Sequence, residues 1–297
     1  MIAKIGTSPV FQAANTGAHV AAKELGPQYQ TEIIIDWQSP QNSENVKEQA
    51  ATIEKFIRAR VDAIAIACTD AEYLTPYIDK AVAQGIPVLC FDSDAPTSKR
   101  FAYYGANDIE FGKAMMKELA TQLGGKGTIA VLAGNPKAFN QQQRLHGLKD
   151  ELARYPGILL LPKNEFHNEE TPQKAIEVLS RAYTANRSIK GWALFGSWAV
   201  TLKKSLPWSP GEVKAVCLQA VPNALIYVES GHIQVLVSVN CFKLGYESVK
   251  IIADKVLRNQ SPPQPLLYTP ISVINKNTLS EWQLNWRKWL VKEAAYR

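Results

Sequence analysis

The residues that could do chemistry in this chain gather where apolar, strand-like runs end. Pro87-Val88-Leu89-Cys90-Phe91 runs straight into Asp92-Ser93-Asp94, so a carboxylate emerges from a buried strand. Such a carboxylate needs hydrogen-bond donors, and adjacent hydroxyls of a polyhydroxylated ligand can supply two of them. Asp92 is therefore the first candidate contact, with Ser93 beside it. The competing reading is that Asp92 or Asp94 caps a loop or pairs with Arg100. Thr7-Ser8-Pro9-Val10-Phe11 sets two hydroxyls and an aromatic ring after the first strand, although Thr7 and Ser8 could equally cap the helix that follows.

Signatures of catalysis are missing. His19, His146, His167 and His232 are scattered without metal-ligand spacing, and neither GxSxG nor GxGxxG occurs. Gly124-Gly125-Lys126-Gly127-Thr128 superficially looks like a phosphate loop, but it precedes a strand, whereas a phosphate cradle opens a helix. No catalytic residue, metal or cofactor is expected. Cys68, Cys90, Cys217 and Cys241 lie in or beside apolar runs and lack close CxxC spacing, which favours buried free thiols over disulfides.

The elements that must position these residues alternate regularly. Strands are expected at Ala3–Thr7, Glu32–Trp37, Ala63–Cys68, Val88–Phe91, Phe101–Tyr104, Thr128–Leu132, Ile158–Leu161, Trp192–Phe195, Val213–Leu218 and Ile233–Val239. Between them, Gln12–Leu25, Ser43–Arg60, Glu72–Gln84, Ile109–Leu123, Asn140–Ala153, Thr171–Ala185, Asn223–Glu229 and Phe242–Arg258 read as helices. Apolar strands joined by helices mean parallel sheets covered on both faces, and 297 residues suit two such sheets better than one. Leu279–Arg297 carries Trp282, Trp286 and Trp289 at helical spacing, as a closing helix packed on the core.

A net charge of +6 spread along the chain implies no nucleic-acid surface, and the apolar runs fall short of the roughly 20 residues a membrane helix needs. Met1 leads directly into an apparent core strand, a reading that favours a leader removed ahead of it over retention in the cell.

Read together, several segments resemble the type I periplasmic sugar-binding proteins that serve ABC transporters for ribose, glucose and related sugars. They are Ser8–Phe11, Gly85–Val88 through Asp92–Pro96, Gly105–Asp108 before a helix with Gly112, Asn140–Gly147, and Val239-Asn240 through Gly245-Tyr246. The pattern is closest to glucose-type receptors. The resemblance implies an α/β fold of two doubly wound parallel-sheet lobes, 1–105 plus 241–272 and 106–240 plus 273–297. Three hinge crossings would join them near Tyr104–Asn107, Val239–Cys241 and Pro270–Asn275.

It further implies a monomeric periplasmic, secreted or lipid-anchored receptor. Such a receptor would close over a monosaccharide-like ligand and present it to membrane subunits. Carried over by position, Phe11 would stack on the sugar and Asp92 accept from its hydroxyls. Asn140 and Gln142 would be polar contacts, and Phe166 the opposing aromatic, helped or replaced by Trp198.

The chain departs from the pattern with Gly196-Ser197-Trp198 in place of an Asn, Gln219 in place of an Asp, and Val239 with Asn240 in place of a Gln. These changes point to a ligand with fewer hydroxyls, or one presented differently. Receptors for a polyol, a nucleoside or a furanose-like signal stay open as alternatives, as does the effector-binding core of a LacI-like repressor.

Overall fold

A computed structural model describes residues 1–41, 44–136 and 138–290. Along the chain lie α1 (Pro9–Tyr29), α2 (Val46–Ala59), β1 (Ile64–Ile66), α3 (Ala71–Ala83), β2 (Val88–Phe91) and β3 (Ala102–Gly105). There follow α4 (Asp108–Leu123), β4 (Gly127–Ala133), α5 (Phe139–Leu152), β5 (Ile158–His167), α6 (Pro172–Ala185) and β6 (Ile189–Leu194). The rest comprises β7 (Lys214–Leu218), α7 (Pro222–Glu229), β8 (Val235–Ser238), α8 (Cys241–Arg258), β9 (Leu266–Tyr268), β10 (Ser272–Ile274) and α9 (Leu279–Trp289).

Contacts group Met1–Ala106, Asn240–Pro270 and residues 287–290 into one unit, and Asn107–Val239 with Ile271–Trp286 into a second. The chain therefore changes unit between β3 and α4, between β8 and α8, and between β9 and β10. The return at Arg287 is a division that an undivided stretch 273–297 did not foresee.

In the first unit β1, β2, β3 and β9 lie side by side, all parallel. Isolated parallel bridges from Ile2 to Ile66 and to Gln38 extend the sheet past β1. The strands expected at Ala3–Thr7 and Glu32–Trp37 thus shrink to these bridges. Ala3 N donates to Gln38 O and Gln38 N to Met1 O, both at 2.9 Å, and Gly6 N to Pro40 O at 2.7 Å. Ile34, in the middle of the second apolar run, is 79% exposed while Ile33 and Ile35 are half-buried, so that run packs on one face only. Ile53 and Phe56 of α2, Leu74 and Ile78 of α3, and Ile64, Ile66 and Val88 of the sheet form a continuous core.

The sheet of the second unit runs β5, β4, β6, β7, β8, β10, parallel except for β10. Strand β5 is longer than expected and irregular: Leu160 faces Ile129, but Glu165 already faces Val131. Asn164 fills the gap by donating from Nδ2 to Ile129 O at 3.1 Å. The glycine run after α4 is the helix-to-strand turn expected of it, with Gly124 at φ 64° and Gly125 at φ 77° before β4 begins.

All four cysteines are buried free thiols. Trp282, Trp286 and Trp289 are buried, as the spacing predicts. The expected continuation of their helix past Leu290, and Ser43 at the start of another, lie outside the described residues.

Counting the bridged stretches as strands, both units have the order second, first, third, fourth, fifth, sixth in chain sequence. The order reverses beside the first strand, so the loops leaving the first and third strands diverge there. That point, outside the carboxyl ends, is where open parallel sheets bind ligands. It falls between Ile2 and β1 in the first unit and between β4 and β6 in the second.

Candidate functional site

In the first unit Asp92 follows β2 directly and adopts the left-handed conformation at φ 60°. Its amide donates to Tyr104 O at 3.1 Å and its carbonyl accepts from Tyr103 Oη at 3.0 Å, which fixes the turn. Burial first, and then the Asp92 charge, push up the thiol of Cys241, the first residue of α8. Asp92 therefore lies in electrostatic reach of a helix N-terminus, a favourable place for a carboxylate. Ser93 is buried and its hydroxyl donates to Cys68 O at 2.8 Å, a bond that braces the loop. Asp94 forms a two-pronged ion pair with Arg100, both side chains largely buried. The pairing alternative thus holds for Asp94, whose charge Arg100 matches.

Ser8 occupies the N-cap position of α1, yet its side chain makes no capping bond. Phe11 is only 5% exposed; its ring meets Phe91 edge-on at 6.3 Å between centroids. Half-buried Trp37 leans on the same Phe91 ring. Sequence reasoning passed over Gln49, which is fully buried. Its Nε2 donates to Ala3 O at 3.0 Å and Ala67 O at 2.7 Å, and its Oε1 accepts from Thr69 N at 3.0 Å, tying together the chain ends at the switch point. A polar residue three positions after Val46 on the apolar stripe of α2 was the available signal. Beside it, Thr69 Oγ1 is buried without a hydrogen-bond partner. Buried hydroxyls in that state are rare and call for a water or a ligand.

In the second unit Gln219 follows β7 at φ 70°, with its amide donating to Val237 O at 2.9 Å and its Oε1 accepting from Ser197 Oγ at 3.0 Å. Trp198 is half-buried and folds back over Gly196, where a Cβ would lie 2.5 Å from the indole carbons. Only glycine admits the ring there.

Asn140 and Gln142 are turned to local tasks. Asn140 Oδ1 accepts from Gln141 N at 2.9 Å, and exposed Gln142 donates to Pro136 O at 2.9 Å. The inward face of α5 instead carries Gln141, buried and accepting from Gly134 N at 3.0 Å, and Arg144. Arg144 Nε donates to Asp108 Oδ1 at 2.7 Å and Nη1 to Phe195 O at 3.3 Å, bringing a guanidinium to the end of β6. Arg144 lies three residues beyond Gln141 in the same quoted segment, a helical spacing that could have revealed both.

Phe166 is half-buried and stacks on Trp192 at 5.9 Å, in a row continued by Trp208 and Tyr183. Asn240 spends its Oδ1 capping α8 at Lys243 N. The structure thus brings Gln219 and Trp198 to one strand-end surface, joined through Ser197, and Asp92 and Ser93 to another. Asn140, Gln142, Phe166 and Asn240 each have a local structural partner.

No group of metal-ligating side chains occurs among the described residues. A cavity of ≈ 470 Å³ lined by Gly85, Pro87, Lys99, Phe101 and Lys255 sits at the amino ends of β2 and β3, away from the switch points. Among the described residues, no helix is long and apolar enough to cross a membrane.

The chain is similar to a xylitol-binding protein of Mycolicibacterium smegmatis, 32% identical over 132 residues, or 44% of this chain and 37% of that protein. It is also similar to the ribose import binding protein of Bacillus subtilis, 26% identical over 147 residues, 48% of this chain and 46% of the relative. These matches span less than half the length of either curated relative. A solved ABC transporter solute-binding protein from Burkholderia graminis, in complex with D-arabinose, shares the fold with a TM-score of 0.81 at 24% identity, covering 94% of this chain and 95% of that one. With residues 1–260 matching the family described as a periplasmic binding protein domain, the chain belongs to that family.

Proposed function

We propose that this protein is a solute receptor that binds one small, neutral, polyhydroxylated molecule through strand-end residues such as Asp92 and Gln219 and hands it to an ABC importer outside the cell membrane. Ligand capture involves no covalent step. The observation that carries the reading is the matched pair of Asp92 and Gln219. Each is held left-handed immediately after the fourth strand of its sheet, by a hydrogen bond from its backbone amide to the fifth.

A non-glycine residue in that conformation costs about 1 kcal/mol, and such strain gathers at binding sites. The partnerless Thr69 hydroxyl at the first switch point supports the same surface. Similarity to a xylitol-binding and a ribose-binding protein favours pentose-sized sugars and polyols.

Calorimetric titration and thermal shift with xylitol, D-ribose, D-arabinose and D-glucose test the proposal. Saturable one-to-one binding of at least one compound, with a raised melting midpoint, is expected. A panel with no binder and no shift would refute it.

A further inference from the structure

We infer that Ser197 is a positioning residue for ligand recognition, orienting the Gln219 carboxamide so that the second unit offers hydrogen-bond donors. The inference rests on the proposed ligand surface and adds to it the polarity of one contact. A Gln carboxamide has an acceptor end and a donor end, and its environment decides which faces a ligand. Here Ser197 Oγ donates to Gln219 Oε1 at 3.0 Å, which occupies the acceptor end and leaves Nε2 to the ligand.

Ser197 is itself held firmly. Its carbonyl accepts from Val200 N at 3.0 Å and from Thr201 Oγ1 at 3.0 Å, and the neighbouring Gly196 lies under the Trp198 ring. The matching position of the first unit is Asp92, whose carboxylate only accepts. The two surfaces are therefore complementary in polarity. Asp92 selects ligand hydroxyls as donors, and Gln219 selects a ligand oxygen as acceptor. A neutral sugar or polyol meets both demands, because each of its hydroxyls donates and accepts, whereas an ammonium facing Gln219 meets only a donor.

The test titrates whichever of xylitol, D-ribose, D-arabinose or D-glucose binds the unaltered protein most tightly against Ser197→Ala, Ser197→Thr, Gln219→Ala and the Ser197→Ala/Gln219→Ala double variant. Loss of one oriented hydrogen bond predicts about tenfold weaker binding for Ser197→Ala, recovery in Ser197→Thr, and a double variant no weaker than Gln219→Ala alone. The thermal midpoint of the ligand-free protein should hardly move.

Additive losses in the double variant, or full affinity in Ser197→Ala beside weakened Gln219→Ala, would overturn the inference. Full affinity in Gln219→Ala together with weak binding by Asp92→Ala would overturn it while leaving the receptor reading intact. Full affinity in both Gln219→Ala and Asp92→Ala, or no binding by any of the four compounds, would overturn both.

Discussion

Gly17, the ninth residue of α1, and Gly245, the fifth of α8, let those helices touch in the first unit; Gly147 and Gly112 hold the same helical positions in α5 and α4 of the second. A Cβ at any of the four would lie 2.0 Å or less from a backbone oxygen of the partner helix. The likeness continues into detail. Gln12 donates to Gly6 O and Gln142 to Pro136 O, each six residues back, and Asn240 and Asn107 cap α8 and α4.

Against this shared frame, the strand ends differ. Asp92 corresponds in position to Gln219, and Phe11, third in α1, to Gln141, third in α5. Arg144 with Asp108 takes the places held by Ala14 and Cys241. A duplicated scaffold thus keeps its packing and varies the side chains at its carboxyl ends, because packing tolerates no added atom there whereas a loop surface accepts many.

The sharpest way to break the comparison is at the helix contacts. Gly245→Ala and Gly112→Ala should each destabilise by about 3 kcal/mol, since backbone must move to admit the methyl group. Denaturant unfolding reads this, and a large loss in one unit with none in the other would end the equivalence. Next comes the chemical asymmetry. Asp92→Ala should weaken sugar or polyol binding about 100-fold in calorimetry, the scale of a charged hydrogen-bonding partner, against about tenfold for Gln219→Ala. Equal losses would mean that the two strand ends are not specialised.

Smaller effects are expected at the caps, where Asn107→Ala and Asn240→Ala should each lower stability by about 1 kcal/mol, equally in both units. The smallest concerns Cys90 and Cys217, each two residues before the left-handed position. Burial pushes both thiols up, for Cys90 with help from Cys68, so neither is a thiolate at pH 8. Iodoacetamide followed by mass analysis should label neither in the folded protein and both after denaturation.

The readable parts of the candidate site are those that follow a strand in sequence. Asp92 stands out after Val88–Phe91, and Gln219 after Lys214–Leu218, because an apolar run stops and a polar residue follows. Helix-borne contacts were harder. Gln141, between Asn140 and Gln142, is the inward residue, since adjacent helix positions are turned about 100° apart and a polar run hides its phase. Gln49 escaped for a related reason: its three bonds go to Ala3, Ala67 and Thr69, none of them near it in sequence. The resemblance places Phe11 and Phe166 as ligand platforms by position, yet position and ring type alone do not distinguish a ligand platform from the neighbours Phe91 and Trp192 that they meet.

By itself the sequence determined the alternation of strands and helices, the two parallel sheets and the strand ends where polarity begins, because period and burial are written locally along the chain. Only the tertiary structure decided which charges pair, as in Asp94 with Arg100 and Arg144 with Asp108. It alone also revealed Asp92 and Gln219 as counterparts. Both depend on strand order and helix phase, which are set by contacts between residues far apart in the chain.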